Sequence, residues 1–110
     1  MKKIKIKATE NEIQNTVCQY LQAKRYVFWR QNNTAIYDPR TKRFRKMSEF
    51  SRKGVSDVIA IKDSVAYFLE FKRAGSYQSK DQKKFEEDVT KAGGIYSVIR
   101  TLEDAKELGL

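Results

Sequence analysis

The sequence predicts an α/β fold, a mixed β-sheet flanked by helices in the order αβββαβα, and three observations predict it. Helix-start signatures at Thr9 and Ser79 each open a stretch with apolar residues at helical spacing. Between them lie runs rich in β-branched and aromatic residues, one of them strictly alternating, as strands are. Gly93-Gly94 then divides the second helix from a short apolar run, and a strand, helix, strand unit of that length is normally a right-handed crossover between parallel strands.

Residues 2–7 alternate Lys with Ile4 and Ile6, the pattern of a short edge strand or of a loose basic arm. Thr9-Glu10-Asn11-Glu12 matches the capping box, in which a Thr hydroxyl and a Glu three residues on satisfy free amides at a helix start. Ile13, Val17, Tyr20 and Leu21 then recur on one face and carry the helix to about Ala23. Glu10, three residues before Ile13, lies near that inward stripe, whereas Glu12 is rotated away and has the capping role. Glu10 has two readings: an acid given to a site, or a charge that favours the helix dipole in its first turn. Tyr26 to Arg30 reads as the first strand of the central sheet. Asp38-Pro39 is a turn signal holding the only proline, so residues 36–44 read as a hairpin excursion, with a polar stretch after it to Lys53.

Residues 54–72, GVSDVIAIKDSVAYFLEFK, form a second hairpin. Val58 to Ile61 is its first strand, and Lys62, Asp63 and Ser64 are turn-like. In the second strand Val65, Tyr67, Leu69 and Phe71 fall on one face, and Ala66, Phe68, Glu70 and Lys72 on the other. Pairing the strands brings Asp57 opposite Glu70 or its neighbour, with cross-strand partners roughly 5 Å apart. Carboxylates that close repel unless one is protonated or a cation lies between them. Lys72, about 7 Å along the strand, is too far for a tight pair with both. A divalent metal answers the geometry. The plain alternative is a solvated charged hairpin, but this strand is apolar on both faces, as in a strand covered on both sides, and burying a charge pair there costs stability unless it has a partner.

Ala74-Gly75-Ser76-Tyr77 is a loop, and Ser79-Lys80-Asp81-Gln82 is a second capping box opening a helix with Phe85, Val89 and Ala92 on its inner face. Gln82 fits the cap position, yet three residues before Phe85 it also looks inward toward the hairpin. Gly93-Gly94 ends the helix, Ile95 to Ile99 is a strand, and Thr101 caps a last helix, Leu102 to Leu108, closed by Gly109. With no repeats, low-complexity segments or linkers, residues 1–110 read as one domain.

Composition narrows the chemistry. There is no histidine, which excludes His-dependent nucleophiles, His general bases and His-ligated zinc and leaves carboxylates, Lys, Tyr or a bound metal. The single Cys18 forms neither an internal disulfide nor a zinc cluster and is expected to pack as a small apolar residue in a reducing compartment. No apolar run approaches a membrane span and the basic N-terminus lacks a signal-peptide core, so the expected location is the cytoplasm. Lys and Arg number 23 against 14 Asp and Glu, a net charge of +9. Residues 24–53 carry a net +8 of this, counting ten bases against Asp38 and Glu49. Arg30, Arg40, Lys42, Arg43, Arg45, Lys46, Arg52 and Lys53 are therefore candidate phosphate contacts, with Tyr37, Phe44 and Phe50 interleaved to stack on unpaired bases. A solvated loop is the alternative; a membrane surface fits poorly, because the segment has no helical amphipathic period.

The element order, with Asp57 and then Glu70-Phe71-Lys72 on the next strand, resembles the PD-(D/E)XK nuclease superfamily and its restriction-endonuclease-like core. Arg30 after Trp29, the Gly-Val-Ser-Asp turn, Phe-Leu-Glu-Phe-Lys, Gln82 leading Phe85, Gly93-Gly94 and Ile-Arg-Thr-Leu-Glu-Asp-Ala narrow the resemblance to the viral-type replication-repair nuclease (VRR-NUC) family, over Glu10 to Ala105. The resemblance implies that Asp57, Glu70 and the Phe71 carbonyl ligate Mg²⁺ or Mn²⁺, with Glu10 a further, often water-mediated ligand. It implies that Lys72 positions or helps deprotonate the attacking water, and that Gln82 supports the ligands or faces substrate. Hard oxygen ligands suit those ions and metal-assisted phosphodiester hydrolysis. Ser56 stands where the superfamily has proline, a turn position outside the metal shell. Small stand-alone members resemble Holliday-junction resolvases acting as dimers, which implies a structure-selective DNA endonuclease on branched or junction DNA, working as a homodimer for which Trp29 to Phe50 is a candidate surface. The alternatives are a flap, nicking or sequence-specific endonuclease of the same superfamily, or a non-catalytic nucleic-acid-binding module.

Overall fold

In a computed structural model of the chain, the structure describes residues 8–31, 37–44 and 49–110. The basic arm of residues 2–7 and the candidate phosphate contacts Arg45 and Lys46 lie outside the described residues, as do the side chains of Tyr37 and Phe44.

Helix α1 spans Glu10–Ala23 and buries Ile13, Val17 and Leu21, each four residues after the last. Each such side chain contributes roughly 1.5–3 kcal/mol by leaving water. At its start Thr9 Oγ1 accepts from Glu12 N at 3.1 Å, but the Glu12 side chain makes no return bond, so the box expected here is half formed. At its end Arg25 takes φ 64°, Tyr26 N donates to Leu21 O and Arg25 N to Gln22 O. This is a Schellman closure without the usual glycine.

Strand β1 (Val27–Arg30) follows, then a small hairpin of β2 (Tyr37–Asp38) and β3 (Arg43–Phe44), the excursion expected around Pro39. β4 (Val58–Lys62) and β5 (Val65–Phe71) form the main hairpin, α2 (Lys80–Lys91) crosses over to β6 (Ile95–Ile99), and α3 (Leu102–Glu107) closes the order. The sheet runs β1-β4-β5-β6, antiparallel except for the parallel β5/β6 pair that the crossover predicts. The inserted hairpin forms its own two-stranded sheet and leaves the order of the four-stranded sheet and its helices as read from the sequence.

Two layers cover the sheet. Val58, Ala60, Leu69, Phe71 and Ile99 pack with Ile13, Val17, Leu21 and Ala105 of α1 and α3 in the core. On the other face Phe85 of α2 meets Phe68 and Tyr96 edge to face, at 5.8 and 6.1 Å between centroids. The structure corrects one reading of this layer. Ala92 is the exposed C-cap of α2 and not an inner-face residue, since the helix has closed by that turn. β1 lies at the sheet edge, where Val27 is 66% and Trp29 42% exposed on the face beyond the reach of α2. Among the described residues no helix is long and apolar enough to cross a membrane.

Candidate functional site

The hairpin decides where the charges go. Val58 pairs with Leu69, so the antiparallel register carried one residue further sets Asp57 across from Glu70, the first of the two alignments the sequence allowed. Gln31 N donates to Asp57 O at 2.7 Å, which extends the β1/β4 ladder to this residue and fixes its backbone. Phe71 N in turn donates to Asp57 Oδ2 at 2.8 Å. Ser56, where the superfamily has proline, is fully buried and its hydroxyl donates to Val58 O at 3.4 Å, so the turn is closed by a side chain.

Glu70 is 2% exposed, and its two oxygens differ. Oε1 accepts from Gln82 Nε2 at 2.9 Å and has Lys72 Nζ 4.0 Å away, while Oε2 is buried with no hydrogen-bond partner among the described residues. A buried carboxylate oxygen with nothing to accept from is costly, and such groups call for an explanation.

Gln82 performs both tasks the sequence suggested. Its Oε1 accepts from Ser79 N at 2.9 Å while its backbone N–H donates to Ser79 Oγ, completing the capping box of α2, and its amide NH₂ then reaches Glu70. Glutamate would serve the cap equally but would set a third carboxylate against Glu70; only glutamine caps with oxygen and donates with nitrogen. Gly54, at φ 76°, brings the loop that leads into Asp57 against the first turn of α2, where a Cβ would overlap the Asp81 carbonyl. The two walls of the site are thereby locked together.

The electrostatics agree with the geometry. Burial first, then the Asp57 charge and hydrogen-bonding contact with it, push the Glu70 carboxyl up to about 8, against the opposing pull of Lys72 and with a smaller push from Glu10. When both are ionised, Asp57 and Glu70 meet acceptor to acceptor, which is stable only with a shared proton or a cation between them. Hard oxygen donors around an orphaned buried oxygen are a donor set that fits Mg²⁺ or Mn²⁺. Among the described residues no three acidic, Cys or His side chains close on one point. Asp57 and Glu70 form the pair, and Glu10, on the exposed first turn of α1, adds its charge to the push on Glu70 without joining them in one cluster. Glu10 lines a groove of about 840 Å³ that runs between Ala8–Asn11 and the loop from Arg73 to Ser76, directly after Lys72.

The basic candidates divide. Arg40, Lys42 and Arg43 are exposed around the β2/β3 hairpin, and Lys53 is exposed before Gly54. Arg30 is exposed and donates to Asn15 of α1. Arg52 has structural work of its own, pairing with Asp88 and lying 5.2 Å over the Phe85 ring, so that it straps its loop to α2. Phe50 is exposed, as a stacking residue has to be.

Residues that carried no motif in the sequence border the site. Gln78 Nε2 donates to Tyr96 Oη at 3.1 Å and to Glu86 at 3.3 Å, and burial, followed by the charges of Glu70, Glu86 and Asp57, raises the Tyr96 phenol, keeping it neutral. Tyr77 is 80% exposed beneath the Arg100 guanidinium, 5.9 Å from its ring centroid. Gln78 and Tyr77 belong to the loop after β5, which carries no periodicity to read; a large aromatic in a polar loop was the only signal.

A scan against protein-family models and a search of curated proteins give no match. Among solved structures the chain is similar to one described as a VRR_NUC domain protein, with a TM-score of 0.67 at 17% identity, over 94% of this chain and 86% of that one. The likeness establishes a shared fold, the α/β arrangement of a mixed sheet with flanking helices expected from the sequence.

Proposed function

We propose that this chain is a metal-dependent, structure-selective DNA endonuclease of the VRR-NUC type that acts on branched DNA, four-way junctions above all. One observation carries the reading: a carboxylate oxygen, Glu70 Oε2, buried without a partner and set beside Asp57 on a strand that presents Lys72 to the same side. Fold similarity to a VRR_NUC domain protein supports it, as does the cationic segment over residues 24–53.

In this reading Asp57, Glu70 and the Phe71 carbonyl hold Mg²⁺ or Mn²⁺, and Glu10 contributes through water from α1. When bound, the ion supplies Lewis acidity, lowering the pKa of bound water and offsetting charge on the scissile phosphate. By occupying Oε1, Gln82 would leave Oε2 as the Glu70 oxygen to hold such an ion. Phe71 N does the same for Asp57 by occupying Oδ2. Lys72, with a side chain 14% exposed, can donate from Nζ to the attacking water or to a non-bridging phosphoryl oxygen, and its charge favours the more anionic transition state. A two-fold dimer would set two such centres on the opposed strands of a junction.

The test is a panel of labelled four-way junctions, flaps, nicked and linear duplexes with Mg²⁺ or Mn²⁺. The junction is expected to be cut in preference to linear duplex, and Glu70→Ala and Lys72→Ala each to lose about 100-fold or more in rate while still binding DNA. Equal cutting of junction and linear duplex removes the junction specificity. A wild type inert under every metal condition, yet bound to DNA, removes the enzyme and leaves a binding module.

A further inference from the structure

Tyr77 is the feature of this face that the proposed chemistry leaves unused. A ring 80% in water contributes little to the core, yet it is not loosely held. The guanidinium of Arg100 lies over it at 5.9 Å, and that guanidinium is anchored because Arg100 Nη1 donates to Arg73 O at 2.8 Å. The backbone of Arg100 is fixed as well, its N–H donating to Asp104 Oδ2 at 2.8 Å. The ring therefore stands one guanidinium away from the carbonyl of the residue that follows Lys72.

Its position matters more than its exposure. Lys72 N donates to Ile99 O, so the ends of β5 and β6 deliver Lys72 and Arg100 side by side. Tyr77 follows immediately on Arg73 to Ser76, one wall of the groove whose other wall holds Glu10. The exposed Arg73 directly follows Lys72 in the chain, and the ring lies a few residues beyond it on the same loop. Cations along a backbone path with a rigid aromatic at its end are what single-stranded nucleic acid requires, because every base has a π-face and a paired, stacked base cannot offer it. A cation already on one face of the ring leaves the other for the base and reduces the rotamer freedom given up on binding.

We propose that Tyr77, braced by Arg100, is a stacking platform for an unpaired DNA base next to the scissile phosphate, so that the preferred substrate has at least one unstacked nucleotide there, as at a branch point or flap. This rests on the nuclease reading above and gives a structural origin to its structure selectivity.

The experiment is binding without metal, in EDTA, so that no cleavage intervenes. The DNAs are a fully paired duplex and the same duplex bearing a single-stranded flap, with 2-aminopurine at the first unpaired position. Wild type is expected to favour the flap and to quench the 2-aminopurine. Tyr77→Ala should lose roughly 5- to 100-fold in flap affinity and most of the quenching, with duplex affinity changed less than about twofold, whereas Tyr77→Trp should keep both. Unchanged thermal unfolding of Tyr77→Ala, expected for so exposed a side chain, makes the comparison direct. If wild type binds the flap but Tyr77→Ala binds and quenches as wild type does, or weakens on flap and duplex alike, the platform is wrong and the metal site stands. If wild type binds none of these DNAs, the nuclease reading falls and the platform with it.

Discussion

Glu70 shows how one residue's environment becomes a measurable property of the protein. Its carboxyl is raised from 4.5 to about 8 on folding, chiefly by burial and then by Asp57. The folded state therefore holds a proton that the unfolded chain has released across this interval. The contribution of Glu70 to stability without metal is thus greatest below the ordinary carboxylate pKa and is lost as pH rises from about 4.5 through about 8, by up to about 1.4 kcal/mol per pH unit. Urea unfolding of metal-free protein from pH 4.5 to 9 should show this decline, and Glu70→Gln should flatten it. Mg²⁺ or Mn²⁺ at pH 8 should raise the midpoint of wild type and not of Glu70→Gln; equal stabilisation of both would place the ion elsewhere. Asp57, Glu70 and Lys72 were legible in the sequence because strand alternation puts Glu70 and Lys72 on one side and cross-strand pairing adds Asp57. The orphaned Oε2 was not legible, since it depends on how α2 covers the strand, and neither was the exposure of Glu10 on the first turn of α1.

At the scale of elements, caps and turns were the most readable part of the chain because each is a local exchange of hydrogen bonds. The boxes at Ser79 and Thr101 form in full, and α2 and α3 end on Gly93 and Gly109. The α1 closure on Arg25 had no glycine to announce it, and α2 stopped before Ala92 could turn inward. Left-handed backbone divides further into two kinds. Gly54 needs both its φ and its missing Cβ, because it touches the first turn of α2, whereas Asp63 and Ser64 adopt φ 51° and 66° in the two-residue turn between β4 and β5 at a steric cost. Opposite signs are expected from opposite exchanges. Gly54→Ala should destabilise by about 2 kcal/mol or more and separate Asp57 from the Gln82 wall, while Ser64→Gly should stabilise by about 1 kcal/mol. Urea midpoints of the two variants test this, and a neutral Gly54→Ala would mean that the loop before β4 does not pack as described.

Over the whole molecule the question is where the positive charge meets DNA. Residues 24–53 hold a net +8, but the fold spends part of it internally: Arg52 is bound to Asp88 and Phe85, and Arg30 to Asn15. The sequence showed the total and not this partition, because pairing depends on which helix passes beneath each arginine. Arg40, Lys42 and Arg43 are exposed on the β2/β3 hairpin, and Lys24, Arg25 and Lys53 are exposed elsewhere in the segment. Counterion release makes each phosphate contact visible as about 0.9 in the slope of log affinity against log salt. Neutralising Arg40, Lys42 and Arg43 together with Arg45 should therefore weaken binding and flatten that slope by up to about 0.9 for each phosphate no longer held, whatever the DNA sequence. Arg52→Ala should behave in the opposite way, lowering the urea midpoint as the strap to α2 is removed while leaving the slope nearly intact. The pair of results separates a charge that binds DNA from a charge that binds the fold. An unchanged slope in the hairpin variant would take the hairpin off the DNA surface and leave the phosphates to other exposed bases, Arg73 at the groove among them.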